Sequence, residues 1–132
     1  MKKIYFICTG NACRSQIAEG YAKTLMPGWE VRSAGVEVHG LNPYAVRVMA
    51  EDGFDISQQE SKLIDPNYFV ACDVIVTLCG DVLDKCPVIP ANLTHYHWNL
   101  SDPAKTHGDD AEILTSFRKT QALIKAHIQE II

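Results

Sequence analysis

The sequence predicts an α/β fold. We expect a single-domain, three-layer sandwich, in which helices flank a four-stranded parallel sheet and an anion-binding loop follows the first strand. Two observations predict it. Short apolar runs alternate along the 132 residues with segments of helical periodicity, which is typical of βαβ units. Residues 73–78 are β-branched and almost continuously apolar, as strands buried on both faces are.

Local signals define each element in turn. Ile17, Tyr21 and Leu25 recur on one face of a helix after the first strand, and Pro27 marks its end. In parallel sheets, ligands bind beyond the carboxyl ends of the strands, where Cys8 and Cys79 are expected. The predicted strands cover residues 4–8, 29–34, 73–78 and 94–98, and the predicted helices cover residues 14–26, 43–52 and 110–131.

Composition excludes several classes of protein. An apolar fraction of 47% with 21% charged residues excludes disorder, collagen and coiled coil. A net charge of −4 argues against a non-specific nucleic-acid binder. No apolar run approaches the length needed to span a membrane, and the first one is too short for a signal peptide. The five cysteines cannot all pair, so we expect a reducing, cytoplasmic setting with free thiols.

The first motif is the segment CTGNACRS, from Cys8 to Ser15. A short loop between a strand and a helix turns backbone N–H groups inward and forms a nest for an anion. Arg14 offers a planar fork to a tetrahedral oxyanion, and the positive potential favours a Cys8 thiolate, a nucleophile. The alternative is a buried cysteine that merely ends a strand. The predicted substrate-binding residues are Thr9, Gly10, Asn11, Ala12, Cys13, Arg14 and Ser15.

Within this loop, Gly10 is expected to permit the turn, and Asn11 to adopt a left-handed backbone or to fix the loop by side-chain hydrogen bonds. Ser15 or Thr9 is expected to donate a hydrogen bond to the Cys8 thiolate. Cys13 is interpreted as a packing residue of the loop with no role in catalysis.

The second motif is the pair Cys79 and Cys86, seven residues apart. In a helix their Cα atoms would lie about 10 Å apart at 1.5 Å per residue, whereas a disulfide needs roughly 4.4–6.8 Å. The two can bond only if the segment leaves the helical conformation, which Gly80 and Pro87 favour. We therefore predict a redox switch, helical when reduced and looped when oxidised. The alternative is a pair of core cysteines, as expected for Cys72.

The third motif is Asp102-Pro103, in a loop after the last predicted strand. Asp-Pro is a common turn dipeptide, and that is the competing interpretation. A parallel sheet brings this loop over the first one, where a carboxylic acid can protonate a leaving oxygen. Structural roles are favoured for all five histidines, because they show no metal-binding pattern. No metal and no cofactor are expected.

Taken together, five segments resemble the thioredoxin-coupled arsenate reductases, which share the fold of the low-molecular-weight protein tyrosine phosphatases. They are CTGNACRS at 8–15, Ser33-Ala34-Gly35, Thr77-Leu78-Cys79, Cys86-Pro87 and Asp102-Pro103-Ala104. The resemblance covers essentially the whole chain, so residues 1–132 are expected to form one such domain. The Cys79 and Cys86 pair separates a reductase from a phosphatase.

The resemblance implies a relay of three cysteines for arsenic detoxification. Cys8 attacks arsenate while Arg14 holds the oxyanion, and Asp102 protonates the departing water. Cys79 then attacks the adduct, expels arsenite and forms a disulfide with Cys8. Cys86 then attacks Cys79 and frees Cys8, and thioredoxin reduces the resulting Cys79–Cys86 bond.

One departure from the pattern concerns a cation. Some relatives bind potassium through residues matching Asn11, Glu19 and Ser33 and through an acidic residue at the position of Lys62. Because an ammonium group cannot ligate a cation, we expect no potassium site, with Lys62 supplying positive charge near Glu19.

Two other functions stay open at this level. One is phosphomonoester hydrolysis by Cys8, Arg14 and Asp102, as the main or a weak side activity. The other is a non-catalytic redox-sensing or anion-binding module. A monomer is expected, because no long exposed apolar stripe remains unassigned.

Overall fold

The computed structural model describes residues 1–81 and 84–132. Val82 and Leu83, inside the segment between the two paired cysteines, lie outside the described residues. The strands are β1 (Lys2–Cys8), β2 (Trp29–Gly35), β3 (Val74–Thr77) and β4 (Thr94–His97). The helices are α1 (Arg14–Leu25), α2 (Pro43–Glu51), α3 (Pro66–Ala71) and α4 (Asp110–Ile131), with a 3-10 turn at Pro103–Lys105.

The strands form one parallel sheet in the order β2-β1-β3-β4, which confirms the predicted fold class. β1 lies in the interior of the sheet, and Cys8, its last residue, pairs with Gly35 at the end of β2. The carboxyl ends of these strands therefore meet at one edge. The loop that begins at Cys8 lies at that edge, where ligands bind in open α/β sheets.

The sheet separates two apolar layers because successive side chains of a strand point to opposite faces. Ile4, Phe6 and Cys8 pack with α1, α2 and α4 on one face. Tyr5 and Ile7 pack on the other face with α3. Cys8 thus belongs to the larger of the two layers, the one that also contains α1.

Two features of the fold differ from the predictions. α3 was not predicted, although Asp65 accepts hydrogen bonds from the N–H groups of Asn67 and Tyr68, a normal N-cap, and Pro66 is at the first helical position. A six-residue helix is too short to show a period. The sheet was expected to be flanked by helices, yet all residues of β4, a strand at its edge, are exposed.

Among the described residues, no helix is long and apolar enough to cross a membrane.

Candidate active site

The loop after β1 is shaped by Asn11 and by the approach of neighbouring chain segments. Asn11 has a φ of 49°, the left-handed conformation expected for it. Gly10, predicted to permit the turn, keeps a φ outside that region. A Cβ at Gly10 would instead lie 2.1 Å from Nδ1 of His39, whose ring packs on the loop. Glycine is therefore suited to Gly10 by close packing and not by a left-handed backbone.

Cys8 lies at the base of the loop, next to the hydroxyl group of Ser15. Cys8 Sγ is 2.9 Å from Ser15 Oγ, and both side chains are buried. Asn11 Nδ2 donates to that same oxygen at 2.7 Å. A thiolate can only accept a hydrogen bond, so Ser15 donates to the Cys8 sulfur whenever Cys8 is ionised. Ser15 is therefore the hydrogen-bond partner of Cys8, whereas Thr9 Oγ1 donates to Asp84 Oδ1 at 2.8 Å.

A buried polar chain holds Asn11 in place behind the loop. Its amide also donates to Ser33 Oγ at 2.9 Å, and Ser33 donates to Glu19 Oε1 at 2.5 Å. Lys23 Nζ lies 2.5 Å from Glu19 Oε2, one helical turn further along α1. These contacts explain why Asn11, Ser33 and Glu19 are buried and polar at once.

Lys62, expected to supply positive charge near Glu19, lines the same pocket as Glu19, but the residue that forms the ion pair with Glu19 is Lys23. Lys62 is exposed, with its Nζ atom 3.5 Å from the Glu60 carbonyl oxygen. Its backbone N–H donates to Asn11 Oδ1 at 2.8 Å. Glu19 and Lys23 are one helical turn apart on α1, and this i,i+4 spacing brings the ammonium group to the carboxylate.

Arg14, the first residue of α1, is 2% exposed and lies at the floor of a cleft. The cleft has a volume of about 250 Å³ and is lined by Cys8, Arg14 and Asp102 together with neighbouring residues. Arg14 Nη1 donates to the Leu100 carbonyl oxygen at 2.8 Å. The structure thus brings Cys8 and Arg14 to one cavity open to solvent.

The remaining residues of the cleft come from the anion loop and from the chain before α2. They are Gly10, Ala12, Cys13, His39, Gly40, Leu41, Asn42, Pro43 and Ala104. Three other loop residues in the predicted binding set have their side chains engaged in the contacts already described or directed at the 79–86 segment. They are Thr9, Asn11 and Ser15.

Asp102 caps a turn and also lines the cleft. Its Oδ1 atom accepts from the Ala104 N–H at 3.0 Å and caps the 3-10 turn, so the turn interpretation is correct as far as it goes. Its Oδ2 atom lies 3.8 Å from Arg14 Nη2, and the residue lines the cleft. Asp102 therefore shares one cleft with Cys8 and Arg14.

Asp84 is a site residue that the sequence reasoning missed. It accepts from Arg14 Nη1 and Nη2, each at 2.8 Å, with its carboxylate 4% exposed. Burial alone raises the pKa of Asp84, but hydrogen bonds from Arg14, Asp81 and Thr9 outweigh it and hold the pKa well below its usual value. No local signal relates two residues seventy positions apart, so only folding shows the pair.

Cys79 and Cys86 form a disulfide, with Cα atoms 6.5 Å apart. Residues 79–81 and 84–86 lie outside helices, which matches the oxidised half of the predicted switch. Cys86 is exposed, whereas Cys79 is buried. The bridged pair therefore presents one of its two sulfur-bearing residues to a partner in solvent.

The three other cysteines are free and buried. Burial raises the pKa of Cys72 to about 11, and burial likewise raises the pKa of Cys13 far above that of a free thiol. Both therefore remain protonated near neutral pH, in agreement with the packing roles expected for them.

Four of the five histidines contact neighbouring side chains. Thr77 Oγ1 lies within hydrogen-bond distance of His95 and His97, and His127 stacks on Trp98. His39 contacts Glu37 at the rim of the cleft. Among residues 1–81 and 84–132, no group of three or more His, Cys, Asp or Glu side chains is arranged to hold a metal ion.

Comparison with known proteins identifies the family. The family model for low molecular weight phosphotyrosine protein phosphatases matches residues 3–132. The chain belongs to this family. Within it, the chain is 50% identical over 129 residues to a curated arsenate reductase of Bacillus licheniformis, covering 97% of the chain and 93% of the relative. It is 48% identical over 130 residues to the arsenate reductase of Bacillus subtilis, covering 98% and 94%.

Solved structures agree. An arsenate reductase in a phosphate-binding state superposes with a TM-score of 0.83 at 36% identity, covering 99% of this chain and 96% of the other. A thioredoxin-dependent arsenate reductase of Corynebacterium glutamicum gives 0.69 at 28% identity, covering 100% of this chain and 64% of the other. The resemblance to the arsenate reductases of this fold is confirmed, and with it membership in a family of enzymes.

Proposed function

We propose that this protein reduces arsenate to arsenite by a relay of Cys8, Cys79 and Cys86, and that a thioredoxin restores it. The observation that carries the proposal is a Cys79–Cys86 disulfide on a segment that contacts the anion loop, while Cys8 itself is free. That combination is the state expected when oxidation has passed from Cys8 to the two other cysteines.

The first step is the binding and attack of the oxyanion. Arg14 and the N–H groups at the start of α1 hold arsenate, because both present positive charge to the cleft. The Cys8 thiolate, which accepts from Ser15, attacks arsenic. A sulfur–arsenic bond forms, and Asp102 supplies the proton with which an arsenate oxygen leaves as water.

Two thiol exchanges then complete the reduction. The Cys79 thiolate attacks Cys8 Sγ, and the electron pair of the sulfur–arsenic bond passes to arsenic, which leaves as arsenite. The Cys86 thiolate attacks Cys79 Sγ, forms the Cys79–Cys86 bond and releases the Cys8 thiolate. The two electrons gained by arsenic equal those lost by two thiols in forming one disulfide.

The reductant is a protein dithiol of the thioredoxin class. Cys86 is exposed, so an external thiolate reaches the disulfide from its side. The relative described as thioredoxin-dependent supports this choice. A single copy carries every group the relay uses, so the proposal needs only a monomer. Three free cysteines also fit a reducing cytoplasm.

The test is arsenate-dependent oxidation of NADPH through thioredoxin reductase and thioredoxin. We expect multiple turnover from the wild type and none from Cys8→Ser, Cys79→Ser or Cys86→Ser. Cys72→Ala is the matched control, because it removes a buried thiol beside α3, outside the cleft, and keeps turnover. Full turnover after loss of Cys79 or Cys86 contradicts the relay.

Phosphomonoester hydrolysis is the second candidate, favoured by the same arrangement of Cys8, Arg14 and Asp102. Hydrolysis of p-nitrophenyl phosphate needs Cys8 but neither Cys79 nor Cys86. We expect it as a weak side activity. A phosphatase rate well above the arsenate-dependent rate, unaffected by Cys79→Ser, would make it the main function.

A further inference from the structure

Asp84 forms a buried two-point ion pair with the arginine of the anion loop. Both terminal nitrogens of Arg14 donate to its two carboxylate oxygens at 2.8 Å, and the two side chains are 2% and 4% exposed. Paired geometry of this kind is how guanidinium groups bind carboxylates and tetrahedral oxyanions alike. Asp84 therefore uses two of the five N–H donors with which Arg14 can hold a substrate.

The same carboxylate is fixed by three further donors. Thr9 Oγ1 donates to Oδ1 at 2.8 Å, and the N–H groups of Gly80 and Asp81 donate to Oδ2 at 3.0 and 2.8 Å. Thr9 also accepts from the Lys85 N–H at 3.0 Å. The segment between Cys79 and Cys86 is thus attached to two residues of the anion loop, Thr9 and Arg14.

The position of Asp84 in the chain couples this attachment to the disulfide. Asp84 lies between the bridged cysteines, whose Cα atoms are 6.5 Å apart. A helical segment would separate them by about 10 Å. The described residues that flank Asp84 would have to be rearranged between the two states, and the contacts of Asp84 depend on them.

The charge of the pair bears directly on anion binding. Arg14 is the only Lys or Arg within residues 8–15, so it supplies the full positive charge of the loop itself. A buried carboxylate in contact with it cancels that charge where electrostatic interactions are poorly screened. An oxyanion entering the cleft then meets a neutral pair and not a cation.

We infer that the Cys79–Cys86 disulfide weakens oxyanion binding by seating Asp84 on Arg14, so that the oxidised protein takes up no new substrate until it is reduced. The inference rests on the proposed function, since it assigns the cleft to an oxyanion. Asp84 is a positioning residue in this scheme, because it acts on substrate through Arg14. By linkage, a bound oxyanion favours the dithiol over the disulfide by the same factor.

The test measures the affinity for inorganic phosphate by isothermal titration calorimetry in a phosphate-free buffer. Wild type is compared as the disulfide, verified by peptide mass, and after dithiothreitol has transferred two electrons and two protons to Cys79 and Cys86. We expect phosphate to bind the disulfide form at least about tenfold more weakly, within the usual range of coupling between sites.

Asp84→Asn isolates the cause, because it keeps the shape and removes the charge. In the disulfide form we expect this variant to recover at least about tenfold in phosphate affinity. Asp55→Asn is the matched control: it removes the same charge from an exposed aspartate of the 52–65 segment and leaves the difference between the two states unchanged.

The outcomes separate the two proposals. Equal affinity of the two wild-type states, or an unchanged Asp84→Asn disulfide form, overturns the inference and leaves the reductase proposal standing. Failure of the folded, reduced wild type to bind phosphate overturns the oxyanion site itself, and both proposals with it.

Discussion

At the scale of single residues, the site is a set of buried polar groups whose donors and acceptors are matched. Asn11 is the central member, because its carbonyl oxygen accepts from the Lys62 N–H and from Gln16. Those contacts fix which end of the amide faces Ser15, so that Asn11 donates to the Ser15 oxygen. We expect the reactivity of Cys8 to depend on this hydroxyl group, which is itself positioned by a neighbour.

Replacing Ser15 by alanine tests this dependence. Iodoacetamide reacts with the thiolate, which can only accept a hydrogen bond, and a hydrogen bond to a charged group is worth about 1.5–3 kcal/mol. Without the Ser15 hydroxyl we therefore expect Cys8 to react with iodoacetamide at neutral pH at least about tenfold more slowly. The measurement is peptide mass spectrometry against time. Ser116→Ala serves as the control, since Ser116 lies on α4 and its hydroxyl group accepts from Thr106 instead of contacting Cys8. An unchanged rate at Cys8 would contradict the role given to Ser15.

At the scale of elements, the anion loop is held by the end of β2. Gly35 pairs with Cys8, and the N–H groups of Glu37 and His39 donate to the carbonyl oxygens of Thr9 and Gly10 at 2.8 and 3.0 Å. The chain after β2 therefore runs alongside the loop. This packing leaves no room at Gly35, where a Cβ would lie 2.4 Å from the Glu37 carbonyl oxygen and 2.8 Å from the Asn11 nitrogen.

Gly35→Ala is expected to distort the loop as well as to destabilise the fold. The overlap is with backbone atoms, which cannot move aside cheaply, so we expect a loss of about 1–3 kcal/mol in the free energy of unfolding and weaker phosphate binding.

Gly28→Ala is the control for Gly35→Ala. Gly28 has a φ of 90° and open space around it, so its substitution introduces backbone strain away from the site. Urea unfolding and phosphate titration check both variants. If Gly35→Ala loses stability but binds phosphate normally, the loop does not depend on this packing.

At the scale of the whole molecule, the carboxyl edge of the sheet adjoins a disulfide-bonded segment for which we propose a change of conformation. Three helices, α1, α2 and α4, cover one face of the parallel sheet, and Cys8 packs in the apolar layer between them. The 79–86 segment follows the short β3 strand and contacts the loop through polar groups. In the proposed switch this segment rearranges on reduction without unfolding the core.

Reduction is expected to turn the described parts of this segment helical. We predict that Cα chemical shifts of residues 79–81 and 84–86 move to helical values after treatment with dithiothreitol, while those of the core strands stay fixed. Circular dichroism should show a small parallel gain in helix. Cys86→Ser cannot form the bond and should give the reduced spectrum without reductant. Identical shifts in both states would contradict a conformational switch.

The sequence by itself determined the elements and the chemistry that depend on local order. Strand and helix periods, the Cys8 to Ser15 loop, and the spacing of Cys79 and Cys86 all follow from neighbours in the chain, as does the conclusion that a disulfide there needs a non-helical segment. Family membership followed from the same segments, because motifs keep their order along the chain.

Only the tertiary structure decided which groups partner one another across the chain. Arg14 forms an ion pair with Asp84, and Glu19 forms one with Lys23. Asn11 donates hydrogen bonds to both Ser15 and Ser33. Such choices depend on distances between residues far apart in sequence and on the need of each buried polar atom for a partner. The periodicity of apolar residues does not predict these pairings, because they form only when the sheet brings the loops together.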